Sequence, residues 1–572
     1  MPGTPYPKLP MHRIAYTKLT PEQISGKLSA VAARGPASAS PPSDAFAGKT
    51  LRIVTDKGPT LNYVFAGAGR LSLSENGGAA VKAGYAALTL DSVALFSHLV
   101  PGTQRGYVAV IDRHTNLATV LELWFSGYKD NREVQRQVWY GYVDQPGQAA
   151  PTARHVATNR FEGKGFHWTQ DNGAETLEFY PSAAYSNFVE LSRQGGELSF
   201  CAPSDYIKIN DDLYIYTRTE CEFSGTFTTY VVDLNRVEQI GVRLGFQADD
   251  GLDYYVFRGK GEWLGQIAQF EKFGDIAGNV VPPPADAGKG ARRAYRPFLT
   301  MPKMSRAEVD AAVAKKTTVF PPPGAMAGNG VPPVGWLAGK TLTLRYDNGP
   351  VMDYQVADAE TLQWRKNGGA WVKARYQAWE PAPGVILFGH LLEGEPNHDG
   401  HMIVADFDQG LVTCFHGFLN TPYFANEAGS ETLFGVIEME GLTSPGYNRH
   451  TFTDELLGRA VTWNYGAGLT SMHLYSTPHS MSWIIFTDAG AGGLEWSGPA
   501  AYVKIRDGLY FLYWREEACN GTLGTIVVNL RTMHDAGIGY HCGAEGLSLS
   551  QIGAHGRHAG RFDVTRFYQV KS

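Results

Sequence analysis

Short runs in which apolar and polar side chains alternate recur along the chain, and these runs predict β-strands. In the segment GLYFLYWRE, Tyr510, Trp514 and Glu516 share one face of a strand, because successive side chains point to opposite faces. Turns rich in glycine and proline separate the runs, as β-hairpins require. The pattern therefore predicts an all-β chain built from many short strands.

Two segments carry helix signals instead. Thr20 is followed by proline and glutamate, a favourable helix start, which predicts a helix over residues 20–34. Ser305 caps a similar segment that continues to residue 316. We expect each helix to lead a set of strands.

The strand pattern occurs twice in the chain. The segment FAGKTLRIVTDKGPTLNYVF is repeated as LAGKTLTLRYDNGPVMDYQV, so that Asp56 matches Asp347 at an offset of 291 residues. Near the end of each half, YIKINDDLYIYTRTE from Tyr206 matches YVKIRDGLYFLYWRE from Tyr502. The chain is therefore a tandem duplication of a unit of about 290 residues.

Each half also contains two similar units, separated by segments rich in proline or glycine that interrupt sheets. A unit of this size closes as a sandwich or as an eight-stranded barrel, which holds either its own side chains or one small ligand. We predict four antiparallel β-barrels in two homologous halves, each half with a short helical leader. The predicted boundaries are a leader at 1–45, barrels at 46–150 and 155–275, a linker with a helix at 276–336, and barrels at 337–445 and 449–572.

The amino-acid composition argues against several classes of function. The chain has 572 residues, 12% aromatic and 19% charged, with a formal charge of −6, which argues against a disordered chain and against nucleic acid or membrane as partner. The five cysteines show neither the spacing of a zinc knuckle nor that of a disulfide framework. We expect neither a cofactor nor a metal. Without an apolar leader segment, we expect a cytoplasmic protein. The mild charge is what a protein with a small-molecule partner would show, and the sequence leaves open a homo-oligomer.

A row of polar residues lies two apart in the first half. Tyr214, Tyr216, Arg218 and Glu220 would share one face of a strand. Facing a barrel interior, the row would orient a ligand, and burial would suit Glu220 to acid or base chemistry with Arg218 beside it. The alternative is an outward polar face, or a buried Arg–Glu pair that satisfies itself.

The matching strand of the second half presents Glu516 with an aromatic wall of Tyr510 and Trp514. An earlier strand places Trp463 and Tyr465 two residues apart, and a tyrosine there could hydrogen-bond a phenolate or a carboxylate. The alternative is that these rings are ordinary core aromatics.

Histidines occupy matched positions in the other two units. His98 and His390 follow Phe96 and Phe388, and a histidine inside a barrel either hydrogen-bonds a ligand or is a satisfied core residue.

The segment HLLEGEPNHDGH after His390 predicts a hairpin that turns at Asp399 and Gly400. His398 and His401 flank that turn at a spacing that could chelate zinc or iron with a carboxylate. An exposed polar loop is the alternative, and it is the one we favour.

The helical leaders, the GKT opening with its Asp-x-Gly-Pro turn, and the paired strands ending in Trp-x-Glu and Val-Val-Asn-Leu resemble the MoaF family. That family consists of two-domain lipocalin-like, or calycin, barrels. The resemblance covers most of the chain as two copies, and it implies lipocalin-like barrels throughout.

The fourth unit is also similar, more distantly, to phenolic acid decarboxylases, which are cofactor-free lipocalin-like lyases. Glu516 matches that family's catalytic glutamate, Tyr465 matches the second of its paired tyrosines, and Trp463 replaces the first. The resemblance implies a cofactor-independent lyase or isomerase acting on a small phenolic compound. A non-catalytic lipocalin-like carrier and a hydratase- or cyclase-type calycin enzyme are the alternatives.

Overall fold

A computed structural model describes residues 19–125, 131–183, 185–192, 199–220, 225–247, 250–268, 303–422, 425–466, 469–485, 495–516 and 521–568. Four eight-stranded antiparallel β-units and two α-helices make up this part of the chain, which confirms the predicted fold class. Parts of the predicted leader and linker, together with Cys221 and Cys519, lie outside the described residues. Within the described residues, none of the helices has the length and apolar character needed to cross a membrane.

The first half begins with its leader, the helix α1 (Pro21–Ala32) capped by Thr20, followed by β1 (Ala37–Ser38). Barrel 1 then comprises β2 (Thr50–Thr55), β3 (Thr60–Gly67), β4 (Arg70–Glu75), β5 (Val81–Leu90), β6 (Val93–Leu99), β7 (Arg105–Asp112), β8 (Leu117–Phe125) and β9 (Val134–Val143). Barrel 2 comprises β10 (Val156–Ala157), β11 (Lys164–Gln170), β12 (Glu175–Tyr180), β13 (Tyr185–Glu190), β14 (Ser199–Pro203), β15 (Tyr206–Lys208), β16 (Leu213–Glu220), β17 (Thr226–Asp233), β18 (Glu238–Phe246) and β19 (Leu252–Gln266).

The second half repeats this order, with helix α2 (Arg306–Lys315) capped by Ser305, followed by β20 (Thr317–Val319). Barrel 3 comprises β21 (Thr341–Tyr346), β22 (Val351–Val356), β23 (Thr361–Lys366), β24 (Val372–Ala382), β25 (Val385–Leu391), β26 (Gly400–Asp406), β27 (Leu411–Phe418) and β28 (Gly429–Glu438). Barrel 4 comprises β29 (Thr451–Phe452), β30 (Arg459–Gly466), β31 (Leu469–Thr477), β32 (Ser480–Ile485), β33 (Glu495–Arg506), β34 (Leu509–Arg515), β35 (Leu523–Asn529), β36 (His534–Gly543) and β37 (Gly546–Arg561), and a short 3-10 turn (Thr565–Phe567) follows it.

The barrels close in two ways. In barrels 1 and 3 the first and last strands pair, and in barrel 4 β37 pairs with both β36 and β30. In barrel 2 the pairing runs from β15 through β19 and β11 to β14. Strands β14 and β15 are consecutive segments interrupted at Ser204 and Asp205, where barrel 4 has the single strand β33. The continuous chain from β14 to β15 therefore joins the two ends of the sheet and closes barrel 2.

Each leader packs between the two barrels of its half. Ile24 and Leu28 of α1 share a hydrophobic cluster with outward-facing residues of barrels 1 and 2, such as Leu95 and Val231. Strand β1 adds in parallel to β19, and β20 adds in the same way to β37. The leader thus helps to hold two barrels together, a contact that a local helix signal does not predict.

Barrels 2 and 4 join the two halves. Phe179 lies against Phe562 with ring centroids 4.8 Å apart, and Asn187 donates a hydrogen bond of 2.6 Å to the Ser497 hydroxyl. Between the barrels lies the buried Glu495 carboxyl, which contacts the Cys201 thiol at 3.5 Å. Burial raises the pKa of Glu495 to about 8, so it holds a proton at neutral pH.

Glu495 is expected to make this contact pH-dependent. Because its pKa is raised in the folded state from an ordinary value of 4.5, its stabilising effect is complete below about pH 4.5 and is lost as pH rises through about 8. One proton contributes a slope of up to about 1.4 kcal/mol per pH unit. A Glu495→Gln variant should lose this dependence, which thermal unfolding midpoints between pH 5 and 9 would measure. Equal pH dependence in variant and wild type would contradict the assignment.

Candidate functional site

The polar row of the first half lies inside barrel 2. Tyr214, Tyr216, Arg218 and Glu220 are all buried on the inward face of β16. The Arg218 guanidinium contacts the Glu178 carboxylate at 2.7 Å and that of Glu220 at 2.9 Å. The structure therefore brings this predicted constellation together.

A second arginine completes the network in barrel 2. Arg243 on β18 donates to both oxygens of Glu220, at 2.6 and 3.1 Å, and also contacts Asp253 at 3.3 Å. The Glu220 carboxylate thus accepts four N–H groups from two guanidinium groups. This arrangement matches the alternative of a buried ionic cluster that satisfies itself.

The two tyrosines of the row have different roles in barrel 2. Tyr216 donates a hydrogen bond to Glu178, whose pKa is raised by burial against the opposing effect of Arg218. Tyr214 donates to the backbone oxygen of Asp211, in the turn before β16. Tyr214 is therefore held at the end of the barrel remote from Glu220.

In barrel 4 the predicted residues also face inward. Trp463, Tyr465, Tyr510 and Trp514 are buried in one cluster of inward-facing residues. The Trp514 indole donates to the half-buried Glu516 carboxylate at 3.1 Å. Tyr510 lies at the other end of β34, where its hydroxyl donates to Glu455 at 2.6 Å. Glu516 and Tyr510 consequently occupy opposite ends of the strand.

Two further residues of barrel 4 were missed by the sequence analysis. His473 lies 3.4 Å from the Tyr465 hydroxyl through Nε2, while its Nδ1 is buried without a partner. Burial lowers the pKa of His473 to about 3, so the ring is neutral. Its position, two residues before the inward-facing Tyr475, was the available sequence signal.

Asp535 is the second missed residue. One carboxyl oxygen accepts the Ala554 amide at 2.6 Å, and the other is buried without a partner. Burial raises the pKa of Asp535 to about 8, so it holds a proton at neutral pH. Burial is the largest cause that raises the pKa of Tyr465, and the coulombic effect of Asp535 is the next. Tyr465 and Asp535 are therefore both hydrogen-bond donors near neutral pH.

Strand register shows which positions of barrels 2 and 4 correspond. Arg218, by its pairing with β17, corresponds to Trp514, which pairs with β35. Glu178, by its pairing with β11, corresponds to His473, which pairs with β30. By the same register Gly539 stands where barrel 2 has Arg243. Aromatic rings and a neutral imidazole thus replace the charged network of barrel 2.

The two matched histidines are fully hydrogen-bonded. His98 contacts the Tyr63 hydroxyl at 3.1 Å and the Leu99 backbone oxygen at 3.3 Å. His390 makes the same pair of contacts, with Tyr354 at 3.2 Å and a backbone oxygen at 3.0 Å. Burial lowers the pKa of both histidines to about 4. They correspond to the core alternative, since neither ring nitrogen is left for a ligand.

The hairpin predicted in barrel 3 differs from the structure. The prediction of a turn at Asp399 and Gly400 is wrong, because the connection spans residues 392–399 and Gly400 begins β26. His398 contacts Asp310 of α2 at 2.7 Å, whereas His401 faces the barrel interior, 5.8 Å from the ring of His390. The two histidines therefore do not converge.

Among the described residues, no three His, Cys, Asp or Glu side chains are grouped so as to hold a metal ion. The segment around His398 and His401 is described throughout.

Comparison with known proteins identifies the second half. Residues 320–420 match the MoaF N-terminal domain, and residues 450–561 match the MoaF C-terminal domain. No curated protein matches the chain. The first match covers most of barrel 3, and the second covers barrel 4. The second half therefore carries both MoaF domains in order, which supports a MoaF family protein.

Proposed function

We propose that barrel 4 binds a small phenolic acid and acts on it as a cofactor-independent lyase. The observation that carries the proposal is the convergence of Tyr465, His473, Asp535 and Glu516 on one aromatic interior. Barrel 2 is the weaker candidate, because its corresponding glutamate is occupied by two arginines.

The interior of barrel 4 suits a planar ligand with polar ends. Aromatic rings supply a large apolar surface that packs against a flat ring; they include Trp463, Tyr475, Trp483, Trp496, Tyr502 and Trp514. Within this surface, Nδ1 of His473, one oxygen of Asp535 and Nε1 of Trp483 have no partner in the described structure. A buried polar atom left unpaired costs about 1–3 kcal/mol, so a purely apolar ligand fits this interior poorly.

The residues support proton transfer to a hydroxycinnamic acid. As the phenol loses its proton, the hydroxyl of Tyr465 and the neutral carboxyl of Asp535 stabilise the developing negative charge. Glu516 in its acid form gives a proton to the alkene carbon next to the substrate carboxylate, which forms a quinone methide. Carbon dioxide then leaves and its bonding electron pair restores the vinyl phenolate. Solvent, which took up the phenol proton in the first step, returns one proton to the phenolate to give the vinylphenol and one to Glu516.

The test is turnover of a panel of hydroxycinnamic acids by the purified full chain, followed through the vinylphenol product. We expect turnover by the wild-type protein and about 10- to 100-fold lower kcat for Tyr465→Phe, which loses one donor to the phenolate. The matched control is Tyr540→Phe, whose hydroxyl donates to the His398 backbone oxygen outside the barrel interior.

Two results would contradict the lyase proposal. Stoichiometric binding without turnover favours the lipocalin-like carrier, because that function needs the interior but no proton transfer. Turnover that is equal in Tyr465→Phe and wild type removes the assigned site.

A further inference from the structure

Barrel 3 contains a second group of polar atoms without partners. His401, Asp399 and Trp364 are 1%, 7% and 4% exposed. In the described part of the chain, Nδ1 of His401, Oδ1 of Asp399 and Nε1 of Trp364 find no hydrogen-bond partner. Three such atoms in one barrel cost several kcal/mol together at about 1–3 kcal/mol each, unless something else binds them.

The three side chains lie in one region of the interior. The rings of Trp364 and His401 both neighbour His390, with centroids at 6.2 and 5.8 Å. Asp399 directly precedes β26, and its carboxylate contacts His416, the residue that pairs with His401 across to β27. The contact is made at 3.1 Å by the other oxygen of Asp399, so the carboxylate is fixed in position.

Barrel 1 shows the same positions in a closed network. By strand register, Tyr107 corresponds to His401 and Glu122 corresponds to His416. Gly106 corresponds to Gly400 in the same way, so the residues before these glycines, Arg105 and Asp399, occupy matching positions. Arg105 donates to Tyr107 at 3.1 Å and to Glu122 at 2.8 Å. Barrel 1 thus satisfies internally what barrel 3 leaves open, so the open atoms are particular to barrel 3.

The chemistry of these atoms defines an occupant. The indole N–H only donates, the carboxylate oxygen only accepts, and a neutral imidazole does one of each. Burial, followed by coulombic interactions with His416, His390 and Lys366, lowers the pKa of His401, so its ring is neutral. The same surroundings disfavour a cation at His401, and Asp399 disfavours an anionic group. A hydroxyl group both donates and accepts, and it matches the set.

We propose that barrel 3 is a second ligand site, formed by His401, Asp399 and Trp364, for a small neutral molecule that carries hydroxyl groups. The hydroxyl donates to Asp399 and accepts from Trp364, and His401 bonds a second hydroxyl. This site is separate from the phenolic acid site of barrel 4, and it stands independently of the function proposed there.

The test titrates the full chain with catechol by calorimetry, with 1,2-dimethoxybenzene as a probe of equal shape that has no hydroxyl donor. We expect catechol to bind at least tenfold more tightly than the dimethoxy compound. His401→Phe and Asp399→Asn should each abolish one class of catechol site, while His473→Phe leaves that class intact. In the wild type, catechol should shift the imidazole nitrogen resonances of His401.

Retention of every catechol site in both the His401 and Asp399 variants would overturn the proposal. So would equal affinity for the two probes, or no catechol binding at millimolar concentration. Trp364→Phe is a conservative variant that keeps an aromatic ring and removes only the indole donor, so it tests the site without disturbing the fold. We expect it to weaken catechol binding at least threefold. A catechol site that is lost only in His473→Phe lies in barrel 4. Its loss therefore concerns the phenolic acid site and leaves the barrel 3 proposal unaffected.

Discussion

A Glu516→Gln variant is expected to turn over p-hydroxycinnamic acid at least about 100-fold more slowly than the wild-type protein, because an amide cannot donate the proton. General acid catalysis contributes about 10²- to 10⁴-fold in rate. The amide oxygen still accepts the hydrogen bond that the Trp514 indole donates at 3.1 Å, so the strand end keeps its conformation. KM should therefore change by less than about threefold.

The control for Glu516→Gln is Glu455→Gln. Glu455 also accepts a hydrogen bond from an aromatic residue of β34, but it does so at the opposite end of barrel 4 and beside Lys504. We expect kcat within about twofold of wild type for this variant, which steady-state kinetics would measure. Equal losses in the two variants would mean that either substitution disturbs the barrel, and an unchanged kcat in Glu516→Gln would contradict the proposed role.

The second large effect concerns stability. Replacing Arg218 by methionine is expected to lower the free energy of unfolding of barrel 2 by about 3–5 kcal/mol, the cost of leaving a buried charge unpaired. Arg218 contacts Glu178 and Glu220 and lies 3.9 Å from the centre of the Phe188 ring. Glu220 retains Arg243, whereas Glu178 loses its guanidinium partner.

Hydrogen exchange of the β16 and β17 amides would measure the effect of Arg218→Met locally, which suits a chain of four barrels better than one global transition. Arg345→Met is the control, because Arg345 and its partner Glu438 are both about half exposed and exposed ion pairs contribute little to stability. Adding Glu178→Gln to Arg218→Met should recover part of the loss. A change below about 1 kcal/mol in Arg218→Met would contradict the buried-network interpretation.

The two halves share a fold but differ in what fills their barrels. In the first half, barrels 1 and 2 contain ionic networks around Arg105 and Arg218. In the second half, the matched positions carry Asp399 and Trp514, near polar atoms that lack partners in the described structure. The matches to the MoaF domains also fall on this half. The two ligand sites that we propose, in barrels 3 and 4, therefore both lie in the second half.

Several inward-facing residues of the candidate site could be predicted from the sequence. The two-residue alternation placed Trp514 and Glu516 on one face, and the duplication directed attention to the matching Arg218 and Glu220. All four lie on that face in the structure. His473 and Asp535 were missed because a lone histidine or aspartate in an alternating segment has no local mark of burial.

The sequence by itself determined the duplication, the β-strand character and the face on which each residue of a strand lies, because these depend only on the order of neighbouring residues. The tertiary structure alone decided which polar groups have partners. Glu220 meets Arg243 and Tyr465 meets His473 through the register of neighbouring strands, while Glu516 has the Trp514 indole as a partner. Since a carboxylate between two arginines and one beside an indole differ in chemistry, matched glutamates in the two halves receive different proposed roles.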